Sequence, residues 1–338
     1  MKKRPKIADV ASVAGVSTAT VSRFLNNKQA LKSDTQERVQ AAIDLLGYIP
    51  DLNARALARG RGSLFGAVIP TMENAIFAEG MEAMQSWLTQ HNATLMVASS
   101  GYDPNIEFEQ IKRLISHDVA ALLLIGCARP AETTEFISNQ GIPFCTAWSY
   151  RADTTHAQIG FNNFRAAFDM GKLIFDSGHT EVGVIGGQTH WNDRAQERIA
   201  GVTDFFRQAG YPISEAQILE SPYKPEDAAE AFEILLTLNP HITAVFCGND
   251  VLAAGAIMKA RSMGLRVPED VSITGFDDIS LASVVSPSLT TVHLPHRYMG
   301  EMAAKVLWNA VNNDQAVQSA EIPFTIRQRE SLMRRVTS

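Results

Sequence analysis

The segment that most constrains this chain is IADVASVAGVSTATVSRFLNN, residues 7–27. Ile7, Val10, Ala11 and Ala14 recur at helical spacing and stop at Gly15, so the pattern predicts a helix that ends in a short turn. Ser17 is placed to cap a second helix running to about Leu25, with Val21, Phe24 and Leu25 facing inward. Two helices joined by a tight glycine-containing turn make a helix-turn-helix, whose second helix enters the major groove of DNA. Its outward residues here are Thr18, Ala19, Thr20, Ser22 and Arg23. Small hydroxyls and methyls allow close approach to base edges, and an arginine can bond guanine through two nitrogens. A small helical bundle with an incidental glycine turn is the bland alternative, but spacing, cap and charge agree on the first reading. A third helix is predicted from Ser33, with Gln36 completing a capping box, through Val39, Ala42, Ile43 and Leu46 to Gly47 as its stop.

Charge divides the chain at the same place. The first 62 residues carry eleven Lys or Arg against five Asp or Glu, and the remainder carries 19 against 31. A basic head can sit on phosphates where an acidic body cannot. Lys2, Lys3, Arg4 and Lys6 alone would be an ordinary solvated run, but beside a helix-turn-helix they read as phosphate contacts. This assigns residues 1–50 to a DNA-binding head, with Lys6, Ser17, Thr18, Ala19, Ser22, Arg23 and Asn26 at the DNA.

The 338 residues leave room for about two further domains of usual size. From Leu64 onward, short apolar runs alternate with longer amphipathic stretches, the sequence form of a parallel α/β sheet. Strands are predicted at Phe65–Ile69, Thr94–Ala98, Ala120–Ile125, Pro143–Ala147, Val182–Ile185, Ala244–Cys247 and Val271–Thr274. Helices fill the gaps, as at Phe77–His91, Ile106–Ser116, Phe164–Ser177, Ala195–Ala209, Ala228–Leu238 and Ala253–Met263. Pattern alone leaves one long sheet and two sheets equally open. No run of some eighteen uncharged apolar residues occurs and the N-terminus lacks an apolar signal core, so neither membrane nor export is expected. Cys127, Cys145 and Cys247 lack metal-type spacing, which points to a reduced, cytoplasmic protein.

An enzyme would share the α/β pattern, but G-x-G-x-x-G, G-x-x-x-x-G-K-[ST] and G-x-S-x-G are all missing. His293 and His296 are three apart, yet no third ligand is near and Pro295 breaks helical geometry between them, so neither a metal nor another cofactor is expected. Between head and body, residues 51–62 form a connecting segment: Pro50 breaks the chain, Leu52 to Ala58 is helix-prone, and Arg59-Gly-Arg-Gly is a flexible basic exit. One or two helical turns cannot persist alone in water, so the segment depends on partners unless it is only a linker.

These residues resemble the lactose/galactose-repressor family of bacterial transcription regulators, from Ile7 to about Ser331. The most specific pieces are IADVASVAGVSTATVSRFLN, GYIPDLNARALA, IFAEGMEAM, GFNNFRAA, ERIAGVTDFF, VFCGNDVLAAGAIMKARSMGLRVPEDVSITGFDD and RQRES. Among them, IFAEG, GFNNFRAA and VFCGND, with GYDPNIEFEQIKRLI, are most similar to gluconate-utilisation repressors. The resemblance implies an all-α helix-turn-helix head followed by a two-lobed, periplasmic-binding-protein-like α/β core with parallel sheets over residues 63–338. Its first lobe would span about 64–161 with a return near 293–325, and its second about 162–292. It also implies a homodimer on a pseudo-palindromic operator, with Asn53, Ala54 and Leu57 in a hinge helix whose leucine wedges into the minor groove. RQRESLMRRVTS carries no leucine heptad, so a dimer is expected in preference to a tetramer.

For the cleft between the lobes, the resemblance maps ligand contacts onto Arg198, Asn249 and Asp277, and suggests Phe77, Ser99 and Trp148 as residues that line or cover the ligand. Two departures matter. The sequence reads Thr146-Ala147-Trp148-Ser149 where many relatives place an aspartate, and Asn162 replaces an aspartate at the lobe crossover. The missing carboxylate, with Arg194 four residues before Arg198 on one helical face, suggests a gluconate-like sugar acid as effector. A neutral sugar or a purine is the alternative effector, and a sugar-binding transport protein the alternative function.

Overall fold

The computed structural model describes residues 5–26, 28–49, 62–152 and 154–335. The chain divides into two compact units, Met1–Ser63 and Leu64–Ser338.

The first unit contains α1 (Ile7–Ala14), α2 (Thr18–Asn26), a 3-10 turn at Lys28–Ala30 and α3 (Ser33–Leu46). Val10, Ala11, Ala14, Val21, Phe24, Val39 and Ala42 form its buried core, and Ile7, Leu25, Ile43 and Leu46 pack around it. Gly15 (φ 63°) and Gly47 (φ 58°) end α1 and α3 in the left-handed conformation that glycine adopts without a Cβ penalty. Arg38 reaches from α3 to donate to the carbonyls of Ala14 (2.6 Å) and Gly15 (3.0 Å), satisfying oxygens that the end of α1 leaves open. The Ser33–Gln36 capping box does not form. Helix α3 is capped at Lys32, so Ser33 is already helical, and the Gln36 amide donates instead to the Leu31 carbonyl at 2.8 Å.

The second unit holds two sheets. The first contains β1 (Leu64–Ile69), β2 (Thr94–Ser99), β3 (Ala121–Ile125), β4 (Phe144–Ala147) and β5 (Gln158–Gly160). The helices between them are α4 (Ala75–Gln90), α5 (Pro104–Ser116) and α6 (Ala131–Asn139). The chain then crosses into α7 (Asn163–Asp176), β6 (Val182–Gly187), α8 (Asp193–Gln208), β7 (Ile218–Ser221) and α9 (Pro225–Leu238). The second sheet is completed by β8 (Ala244–Cys247), α10 (Asp250–Ser262), β9 (Ser272–Asp277), the short α11 (Leu281–Val284) and β10 (Thr290–His293). Helix α12 (His296–Asn313) and the edge strands β11 (Ala320–Glu321) and β12 (Thr325–Arg327) end the fold.

The sheet orders are β11-β5-β4-β3-β1-β2 and β12-β10-β9-β8-β6-β7. Both contain the same five-strand parallel order, so the two lobes are topological copies. Strands such as β3, ALLLI, are buried throughout because helices cover both faces. Strand β11 adds parallel to β5, and β12 adds antiparallel to β10. His293 and Thr325 therefore both belong to the second sheet, and the return to the first lobe is shorter than 293–325. Among the described residues no helix is long and apolar enough to cross a membrane.

Candidate functional site

On the head, Ser17 Oγ accepts the Thr20 N–H at 3.1 Å, fixing the start of α2 as its position predicts. Thr18, Ala19 and Arg23 are exposed along α2 and Ser22 is half-buried, while Val21 and Phe24 on the opposite side are in the core. Lys6 is exposed at the entry to α1, its backbone N–H held by Asp9 at 2.7 Å. Asn26 is the last residue of α2. The face thus presents two methyl-bearing small side chains and one long cation, groups that fit base edges. Asn53, Ala54 and Leu57 lie outside the described residues.

In the core, the carboxyl ends of both sheets converge, which is where open α/β folds hold ligands. The cavity there is lined by Asn74, Ile76, Phe77, Tyr102, Arg194, Arg198, Tyr223, Asn249 and Asp277. An outer pocket shares Asn74, Tyr102 and Tyr223 with it and adds Glu73, Gln188 and Lys224. Local sequence fixes these positions. Asn74 caps α4 through the Ile76 N–H at 3.2 Å, and Asn249 caps α10 through the Leu252 N–H at 2.9 Å. With its carboxamide oxygen so committed, Asn249 has its NH2 to offer a ligand.

Arg198 is only 4% exposed. It donates to Asn163 Oδ1 (2.9 Å) and the Gly248 carbonyl (2.7 Å), pairs with Asp277 at 3.1 Å and lies 3.8 Å over the Phe276 ring. Each guanidinium nitrogen thus faces a protein group, the Asp277 contact being an ion pair without a hydrogen bond at Oδ1, so Arg198 reaches the cavity already charge-paired. Arg194, equally buried, makes its only hydrogen bond among the described residues to Asp193, at 3.1 Å. Asp193 also accepts the Cys127 N–H at 2.7 Å, joining the second lobe to the turn after β3. Gly126 permits this approach, since a Cβ there would stand 1.9 Å from Arg194 Nη1.

Two expected lining residues are corrected. Ser99 is exposed at the end of β2 and outside the lining; the chain turns there, and Tyr102 in the left-handed conformation (φ 64°) enters the cavity instead. Trp148 is fully buried behind Phe77, with ring centroids 5.6 Å apart, and donates to His296 at 3.1 Å. Burial, then the Tyr223 phenol, push the Tyr102 hydroxyl well above its ordinary range, so it is a neutral hydrogen-bonding group. Tyr102, Tyr223 and Asn74 were not marked by the sequence. Each lies just after a strand, but nothing in its neighbours distinguishes it from loop surface. Asn163 was missed too: it donates to the Trp148 carbonyl at 3.0 Å and accepts from Arg198. Asn162 caps α7 through the Arg165 N–H at 2.8 Å, as an aspartate would. His293 pairs with Asp278 at 2.8 Å.

A helix-turn-helix unit followed by two topologically equal α/β lobes around a polar cleft defines a DNA-binding regulator with a ligand-binding core. Residues 6–51 match the family of bacterial regulatory proteins, lacI family, and residues 173–332 match the periplasmic binding protein-like domain. The chain is 33% identical over 330 residues to the HTH-type transcriptional repressor PurR of Klebsiella pneumoniae (strain 342), covering 96% of both chains. It is 29% identical over 326 residues to the HTH-type transcriptional regulator GntR of Escherichia coli (strain K12), covering 96% of this chain and 98% of that one. The crystal structure of the lac repressor dimer bound to operator and the anti-inducer ONPF superposes with a TM-score of 0.85 at 23% identity, over 98% of this chain and all of that one. The chain belongs to the LacI family of DNA-binding transcriptional repressors, and it is not an enzyme. The similarity to PurR and to GntR is of one order, so identity does not select an effector.

Proposed function

We propose that the chain acts as a homodimer on a pseudo-palindromic operator, with Thr18, Ala19 and Arg23 reading the major groove, and that a polyhydroxy carboxylate such as an aldonate occupies the cleft. The observation that carries the effector reading is Arg194, a buried guanidinium lining the cavity whose hydrogen bonding among the described residues stops at Asp193. A buried cation with unused donors favours an anionic ligand. Lys224 at the outer pocket adds a second positive charge. Tyr102, Tyr223, Asn249 and Asp277 supply partners for hydroxyls. Arg198 serves this reading as the group that holds Asp277 in place.

The aromatic lining favours a second reading. Tyr102 and Tyr223, with ring centroids 6.1 Å apart, and Phe77 offer stacking surfaces that suit a purine.

Calorimetry with gluconate, glucose and hypoxanthine separates the two. We expect gluconate to bind and Arg194→Gln to weaken it by about tenfold or more, the loss of one charge-assisted contact. Binding of hypoxanthine or glucose without binding of any sugar acid overturns the effector reading and leaves the repressor assignment intact.

A further inference from the structure

We propose that His296 is a positioning residue that ties the lobes together at the effector cleft and couples Asp277 of the second lobe to Trp148 of the first. His296 opens α12 and is 3% exposed. Its Nδ1 accepts the Trp148 indole N–H at 3.1 Å, and its Nε2 lies 3.0 Å from the Asp277 main-chain oxygen. An indole N–H only donates and a carbonyl only accepts, so the two contacts together require the neutral Nε2–H tautomer. Both polar atoms of a buried ring are thereby matched, one from each lobe.

The groups at either end of this link belong to the cleft. Trp148 (φ 61°) backs Phe77, which lines the cavity. Asp277 (φ 104°) is in a backbone region that is strained for a non-glycine residue and persists only where its surroundings hold it. The His296 contact to the Asp277 carbonyl and the Arg198 pair to its carboxylate supply that hold. The link is also stiff on the first-lobe side. A Cβ on Gly80 of α4 would stand 2.3 Å from the Trp148 ring, and one on Gly300 of α12 would stand 2.0 Å from the Gly80 carbonyl. The two helices are therefore in backbone contact where His296 emerges. A displacement of Asp277 by a ligand moves the imidazole and Trp148 with it, or breaks one of the two hydrogen bonds.

Protonation breaks the same link, because imidazolium has no acceptor for the indole N–H. The charged groups acting on His296 are Asp277 and Arg198 from the second lobe and Glu79 from α4. Burial outweighs them and holds the imidazole below its ordinary range.

The test uses the full chain without effector, so it rests on the presence of the cleft and not on the sugar-acid reading. His296→Gln keeps one acceptor and one donor; His296→Phe fills the volume and has neither. Hydrogen exchange of the Trp148 indole, identified by its loss in Trp148→Phe, and of amides in 272–278 is followed alongside thermal melting. In His296→Phe we expect faster exchange at both places, by about five- to tenfold for each lost hydrogen bond. His296→Gln should stay near the wild type. As pH falls below the ordinary imidazole range, after correction for intrinsic rates, the wild type should move toward the Phe variant while the Gln variant does not. Loosening confined to the first lobe, equal loosening in both variants, or a pH response unchanged by His296→Gln overturns the proposal. If His296→Phe does not fold, the pH comparison between wild type and His296→Gln decides by itself.

Discussion

Arg23 and Lys6 carry the same charge and are both exposed, yet their positions give them different work. Arg23 projects from the outer face of α2, which on the proposed reading places its guanidinium at base edges, whereas Lys6 precedes α1, where the same reading gives it a backbone phosphate. Arg23→Ala should cost about 1–3 kcal/mol on the operator and much less on random DNA. Lys6→Ala should weaken both and flatten the dependence of binding on salt. Titrations at several salt concentrations check this, and equal losses on both DNAs for Arg23→Ala would reduce Arg23 to a phosphate contact. The cleft arginines also divide. Arg198 was legible because the segment ERIAGVTDFF resembles the family, but only the fold reveals that its nitrogens face Asn163, Gly248 and Asp277. Arg194, four residues earlier, is the one with donors to spare.

At the scale of elements, the pairing of α4 with α12 brings together segments more than two hundred residues apart, and its closeness depends on two glycines. Gly300→Ala would set a Cβ 2.0 Å from the Gly80 carbonyl, a main-chain atom that cannot rotate away. The helices must separate. We expect a loss of about 1–3 kcal/mol, as for overpacked cores, together with weaker effector binding, because α4 begins with the cavity residues Ile76 and Phe77. A denaturant midpoint unchanged by Gly300→Ala would show that the helices have slack. Helices α4, α5 and α7–α10, whose apolar positions recur every third or fourth residue, and strands buried on both faces such as β3, were legible in advance. Helices α6 and α12 and strands β5, β7 and β10 were not marked: strands of three or four residues carry too little pattern, and the pairing of β5 and β7 with β4 and β6 is set by neighbours distant in sequence.

At the scale of the whole core, the lobes share an apolar cluster that includes Phe161 and Phe276, and the polar contacts between them carry a pH dependence of their own. Glu197 on α8 faces Arg151 of the first lobe at 3.7 Å, while its Oε2 is buried without a hydrogen bond. Burial, then the Asp193 charge, push its carboxyl up to about 7 from an ordinary 4.5. A carboxyl raised on folding binds its proton more tightly in the folded state. Its contribution is therefore fully favourable below the unfolded value and is lost as pH rises through about 7. Glu197→Gln should melt higher than the wild type at about pH 8, with the difference shrinking toward about pH 5. Melting curves that differ equally at both pH values would mean that Glu197 is already charged in the folded lobe contact.

The sequence by itself determined what depends on local order. Helical spacing with Gly15 and Ser17 specified the helix-turn-helix, alternating apolar runs specified the α/β core, and the distribution of charge separated a basic head from an acidic body. Tertiary structure alone decided which side chains share the cleft, because its walls come from strand ends that are neighbours only through the parallel order of two sheets. That order brought in Tyr102 and Tyr223, left Ser99 outside and buried Trp148 behind Phe77. It also joined His296 to Asp277, nineteen residues apart in the chain and on different lobes, by a hydrogen bond that no local pattern encodes.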